Sequence, residues 1–319
     1  MEARLPIQHT DGYNHLHRLA PPMLTAMWRS GSLPTRNFIA HFWNISYAGG
    51  AFRSCNNHWD TVPCAPRPNP DGKHHLRVVA RVAHLWDPGT GRPSDLLTYA
   101  VPMADLLPMR EGPEGSATLD VDFRRWTIGG ASTDTVFRRP IALAPGDTDG
   151  GAYLGFEVIP GSGFSSWSVM ATQVGVLRRG GLYVDWAPEP SGATVQLSDL
   201  VIGVGDGPLV WNSGTRQVPL TPMQVLGRAD SLQLYYQVKN DGERAAVKVA
   251  ITVQRLEDGV PAEGHVSQLA FDAVFPSGIT ELQREVGLAN LASGSYELAV
   301  VLSDARGVVA RRAISLTVQ

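Results

Sequence analysis

From Lys73 onward the chain is a succession of short runs rich in apolar and β-branched residues, each closed by a cluster of Gly, Pro or Asp. Leu76–Trp86, Leu96–Pro102, Ala117–Trp126, Thr135–Leu143, Ala152–Pro160 and Leu182–Trp186 are such runs, with turn clusters such as 87–91 and 145–151 between them. Strand-length runs alternating with turn residues predict an antiparallel sandwich or barrel over 73–204. Ser165–Leu177 is ambiguous: its spacing fits a helix, whereas Val169, Val174 and Val176 fit a strand. Val195–Gly203 closes this first domain.

A loop through Gly205, Gly207, Pro208 and Gly214 leads to a second series over 215–319. Leu232–Val238, Ala246–Arg255, Val266–Phe275, Thr280–Val286, Ser295–Ser303 and Val308–Val318 predict six strands. Asp304 to Gly307 reads as the hairpin connection of the last pair. Val308, Ala310 and Leu316 are expected inward and Arg311 and Arg312 outward, giving one buried and one wet face. The expected fold class is all-β: an extended N-terminal arm followed by two antiparallel, immunoglobulin-like sandwiches, without the disulfide that commonly joins the two sheets.

The arm, residues 1–72, shows little periodicity but carries eight aromatic rings: Tyr13, Trp28, Phe38, Phe42, Trp43, Tyr47, Phe52 and Trp59. Solvated disordered tails are poor in aromatics, so these rings are expected to be covered. The arm ends in a proline-interrupted linker over 63–72, where neither helix nor ladder continues.

Composition narrows the picture. With 319 residues, 27 basic and 30 acidic side chains, the net charge of −3 argues against a general nucleic-acid binder. No run approaches the apolar length of a membrane span. The first residues, Met-Glu-Ala-Arg-Leu-Pro, lack an apolar signal core. That fits a cytoplasmic protein or a mature extracytoplasmic chain, and the fold and cysteines favour the second.

Cys55 and Cys64 share one turn-rich loop. A disulfide there would contribute roughly 2–3 kcal/mol and require an oxidising compartment. Two free thiols, or a zinc half-site with His58, are the alternatives. His15 and His17 would share one face of a strand, but no third ligand sits at a characteristic spacing, so no metal site is assigned. Gly203-Val-Gly-Asp-Gly207 is followed by Pro208 rather than a helix, and reads as a domain linker, not a phosphate loop. Asp120 and Asp122 alternate with Leu119, Val121 and Phe123, as on a wet strand face, rather than forming an acid–base pair. No serine-nucleophile elbow accompanies Ser162–Trp167. The chain therefore reads as non-enzymatic, with no catalytic residues and no cofactor. Its eight tryptophans leave a secreted carbohydrate-binding sandwich as the alternative.

The stretch Leu197–Gly203, then Pro219–Pro222 and Leu232–Val238, together with Leu291–Leu298 and the Asp304–Val318 hairpin, resembles bacterial GWxTD-type extracytoplasmic proteins over about residues 150–319. The Gly-Trp-x-Thr-Asp motif itself is absent. The resemblance implies a periplasmic interaction module without catalytic residues. In size and texture the chain also resembles the soluble, cofactor-free periplasmic subunits that cap photosynthetic reaction-centre–light-harvesting complexes beside their cytochrome subunit. The expectation is a peripheral structural subunit of a membrane-associated complex, with protein partners, no nucleic acid and no membrane span of its own. The eight rings, with Arg29 and Arg36, are its expected interface anchors.

Overall fold

The computed structural model describes residues 76–106, 115–127, 132–143, 151–161, 164–176, 178–185, 193–214, 216–223, 225–228, 231–257, 259–264 and 266–319. The arm lies outside the described residues, and with it every expected interface anchor and both cysteines.

The described chain is all-β. In order, the strands are β1 (Val79–Trp86), β2 (Pro93–Pro102), β3 (Ser116–Thr127), β4 (Ser132–Ala142), β5 (Ala152–Pro160), β6 (Phe164–Gln173), β7 (Arg178–Asp185), β8 (Val195–Leu197) and β9 (Val201–Val204). They continue as β10 (Val210–Ser213), β11 (Arg216–Pro219), β12 (Val225–Leu226), β13 (Ser231–Glu257), β14 (Val260–Pro261), β15 (Ser267–Gly287), β16 (Gly294–Asp304) and β17 (Gly307–Val318). Only a single 3-10 turn, Met103–Asp105, interrupts them. The ambiguous Ser165–Leu177 run is strand as far as Gln173, where β6 pairs antiparallel with β3 and with β7; Val174 and Val176 lie in the turn that follows.

Two compact units emerge. One contains Val101–Tyr153 and Gly163–Pro188; the other contains Ala80–Ala100, Leu154–Ser162 and Glu189–Gln319. Most of β1, β2 and β5, which form one three-stranded sheet, thus group with the C-terminal strands.

The first unit is built on the sheet β4-β3-β6-β7. Leu119, Val121 and Phe123 are fully buried on one face of β3, opposite Trp167, Val169 and Ala171 of β6. The other face of β3 is a charge ladder. Asp120 takes two hydrogen bonds from Arg138, each 2.8 Å, and Arg124 pairs with Asp134 at 2.8 Å. The Asp122 carboxyl departs from the wet-face expectation: its Oδ1 is buried without a partner among the described residues, and burial raises its pKa.

In the second unit β13 organises everything. The sequence suggested two strands on either side of Asp241–Glu243, and two more on either side of Ser277; both pairs are single long strands. The first half of β13 pairs with the end of β15 and, on its other side, with β8 and β9. Its second half pairs with the start of β15 and with β16, which is followed by β17 and a parallel β12. The register shifts between Asn240 and Arg244. Across that irregularity the core-facing positions change from even (Leu232, Leu234, Tyr236, Val238) to odd (Val247, Val249, Ile251, Val253). The buried Asn240 amide stabilises the irregularity: Nδ2 donates to the Phe275 and Pro276 carbonyls at 3.1 and 3.2 Å, and Oδ1 accepts from the Gly242 N–H at 3.0 Å.

The first half of β13 is buried on both faces. Its odd residue Tyr235 joins a second cluster with Ala83, Leu85, Leu96, Val201, Trp211, Val218 and Leu220. That explains the nearly unbroken apolar run Leu232–Val238, where an open sheet would alternate. Gly203 in β9 permits this layering, since a Cβ there would meet the Pro219 carbonyl oxygen at 2.0 Å. The Gly203–Gly207 run lies within this unit, in β9 and the turn after it.

Two sequence expectations for β17 are corrected. Val308 is 67% exposed, because the register shift at Leu302/Ser303 displaces the hairpin end from the core. Arg312 is not on the wet face: it shares the parity of the buried Ala310, Ile314 and Leu316, and turns to an ion pair.

Candidate functional site

Two polar clusters stand out in the second unit. The first grows from the run Leu76–Trp86, where Arg81 and His84 interrupt an otherwise apolar strand. His84 Nδ1 donates to Oδ1 of Asp95, on β2, at 2.7 Å; Asp95 is 2% exposed. The ring's Nε2 lies 3.9 Å from Oδ2 of Asp199, which sits between β8 and β9. The same Asp199 oxygen accepts from the His84 backbone N–H at 2.9 Å, and the Asp199 N–H donates to the His84 carbonyl at 3.0 Å. Oδ1 of Asp199 accepts from Arg312 Nε at 3.1 Å. Ser198, the nearest hydroxyl in sequence, donates to the Asp199 carbonyl and accepts from the Gln237 N–H, both at 2.8 Å. An imidazole placed between two carboxylates, with the neighbouring hydroxyl already engaged, joins β1, β2, β17 and the β8–β9 loop. It is not the geometry of an activated nucleophile, in which the base accepts from the attacking hydroxyl.

The second cluster centres on the Tyr235 hydroxyl. It donates to Glu281 Oε1 at 2.7 Å, accepts from Gln237 Nε2 at 2.8 Å and lies 2.8 Å from Ser213 Oγ, which also donates to Glu281. Gln237 in turn joins β1: its Oε1 accepts from the Trp86 N–H at 2.7 Å and its Nε2 donates to the Trp86 carbonyl at 2.8 Å. Burial foremost, with the Glu281 charge adding, raises the Tyr235 phenol well above its ordinary range. These bonds join β13 to β10 through Ser213, to β15 through Glu281 and to β1 through Trp86.

A third feature is a surface. On the second half of β13 the core takes the odd residues, so the even ones face outward. Across that outward face Val274 opposes Ala246, Ala270 opposes Ala250, and Ala250 opposes Val301. Ala246, Ala270 and Val274 are exposed. The charged side chains on this face are Arg244, Lys248 opposite Asp272, and the Glu297–Arg311 ion pair. This face is hard to read from the sequence, where alternation marks the buried positions and implies polar residues between them.

Of the sequence-predicted site residues, Tyr13, Trp28, Arg29, Arg36, Phe38, Phe42, Trp43, Tyr47, Phe52 and Trp59, with Cys55 and Cys64, all lie outside the described residues. In the sequence His84 is a single histidine within an apolar strand run. Its partner Asp199 is 115 residues away, a separation no local motif reports. Among the described residues no three His, Cys, Asp or Glu gather as a metal site, and no helix is long and apolar enough to cross a membrane.

No family model matches the chain, and no curated protein does. Among solved structures the chain is similar to red sea bream transglutaminase at 12% identity, over 76% of this chain and 31% of that one, with a TM-score of 0.23. So distant a likeness carries no argument about the chemistry here.

Proposed function

We propose that the protein is a non-catalytic accessory subunit that docks on another polypeptide of a larger extracytoplasmic, membrane-associated assembly. The observation that carries this reading is the outward face of β15, β13 and β16. A sheet face turned to water ordinarily carries polar side chains; this one carries Ala246, Ala250, Ala270, Val274 and Val301, with Lys248 and Asp272 opposite one another between the two alanine rows and Arg311 beside Val301. A face that mixes small apolar side chains with a few charges suits a protein interface, which as a whole is about as apolar as the rest of a protein surface. Both polar clusters support a non-catalytic role, because their acids, amides and hydroxyls are engaged in joining strands. The carbohydrate-binding alternative is weakened at two positions: Trp167 and Trp211 are buried in the cores and offer no platform to a sugar ring.

A photosynthetic reaction centre with its cytochrome subunit is the first assembly to test. The tagged full chain, its Ala270→Glu and Val274→Glu variants, and a form lacking residues 1–72 are applied to detergent-solubilised source membranes and to the purified complex. Stoichiometric recovery of a partner by the wild type, reduced at least tenfold by each glutamate with thermal midpoints held within a few degrees, is the expected result. A wild type that recovers no partner, or glutamate variants that recover as much, overturns the docking face. The deletion form measures what the arm's rings add.

A further inference from the structure

Beside the first polar cluster a small cavity of about 20 Å³ opens within the second unit. Arg81, Thr98 and Thr221 line it, with Leu96, Leu200 and Ile202 as apolar walls. Arg81 reaches it because β1 alternates: Arg81 shares the inward face with the buried Ala83 and Leu85, so its guanidinium continues an apolar stripe. Arg81 is half-buried, so its charge is partly desolvated and gains from an anionic partner.

The protein supplies no direct one. Among the described residues Arg81 donates no side-chain hydrogen bond, and neither does the hydroxyl of Thr98, which is 6% exposed. Asp199 contributes an attractive field but makes no hydrogen bond to Arg81; its oxygens accept from Arg312 Nε and the His84 N–H. Thr221 is engaged with Met223.

We infer that this cavity is a binding site for one small monovalent anion of halide size, held by the Arg81 guanidinium and the Thr98 hydroxyl. Volume sets the class. Space for roughly one water-sized body accommodates a chloride or bromide and excludes tetrahedral oxyanions such as sulfate or phosphate. Burial lowers the Arg81 pKa to about 10, with Asp199 opposing, so the guanidinium still carries its charge at neutral pH. A bound halide would complete the hydrogen bonding of both donors.

The test uses the full chain in chloride, bromide, sulfate and gluconate at equal ionic strength. The readouts are the thermal midpoint and the line width of the chloride-35 resonance. Chloride and bromide are expected to raise the midpoint saturably, by about 5 °C at a hundred times the dissociation constant, while sulfate and gluconate do not. Protein-dependent chloride broadening should be displaced by bromide and not by sulfate. Arg81→Met should abolish both effects, and Thr98→Val, which keeps the side-chain volume, should weaken chloride about tenfold through one lost charge-assisted hydrogen bond. Equal midpoints in all four salts, with no broadening by the wild type, overturn the site and leave a hydrated arginine. That wild-type measurement decides the matter even if Arg81→Met does not fold.

Discussion

Single side chains in this protein differ sharply in what their polar atoms cost. Tyr235 and Tyr236 are adjacent and both fully buried, yet the Tyr235 hydroxyl has three side-chain partners and the Tyr236 hydroxyl has none among the described residues. Burial pushes the Tyr236 phenol up to about 12, with Arg284 opposing. A folded-state pKa raised above the unfolded value near 10 means that folding favours the protonated phenol. Its contribution is complete below pH 10 and is lost as pH rises from 10 towards 12. Urea titrations should show stability falling over that window. Tyr236→Phe should reduce the fall and, by removing an unpaired buried hydroxyl, leave neutral-pH stability unchanged or raise it by up to about 1 kcal/mol. Tyr235→Phe should cost about 1–3 kcal/mol at pH 7, because Ser213, Glu281 and Gln237 lose their shared partner. Equal effects of the two substitutions would contradict the assignment.

At the scale of the element, the irregularity in β13 decides which residues are core. Asn240 stabilises it through three hydrogen bonds, two of them to carbonyls of β15. Asn240→Ala should cost about 2–4 kcal/mol in chemical unfolding, since it leaves buried carbonyls unpaired as well as removing a bond. A loss under about 0.5 kcal/mol would show that the backbone adopts this shift unaided. The same element marks the limit of what was legible in the sequence. Strand positions such as Ala152–Pro160 and the terminal hairpin could be read because alternation and turn residues are local. The continuity of β13 through Asp241-Gly242-Glu243 could not, because turn-forming residues there are accommodated by an amide whose partners lie 35 and 36 residues away. Arg312 was misplaced for a related reason: parity along one strand says which side a residue takes, but not that Asp199, 113 positions earlier, waits on the inner side. The polar clusters shared this fate. Their residue types stood in plain view, while the pairings of His84, Asp199, Tyr235 and Glu281 are set only by the folded sheet.

For the whole molecule, the grouping of β1, β2 and β5 with the C-terminal strands means that chain order does not map onto compact units. The second unit draws on three separated stretches, so its assembly depends on contacts distant in sequence, a topology associated with slow folding. The docking reading also belongs to this scale, since the apolar face combines residues of three strands spread over Ala246–Val301.

The burial of β13 on two sides has a dynamic consequence. A strand flanked by β15 and by β8 or β9, with packed layers above and below, has no direction in which to peel away. In hydrogen–deuterium exchange the amides of Leu232–Val238 should be the slowest in the second unit, exchanging only when that unit opens entirely, whereas those near the exposed end of β17 at Val308 should exchange through local fraying. Early labelling of Leu232–Val238 would reveal an opening route that the static packing conceals. If the slow pattern holds, the shared strand acts as a cooperative clasp: neither layer can loosen without releasing the other.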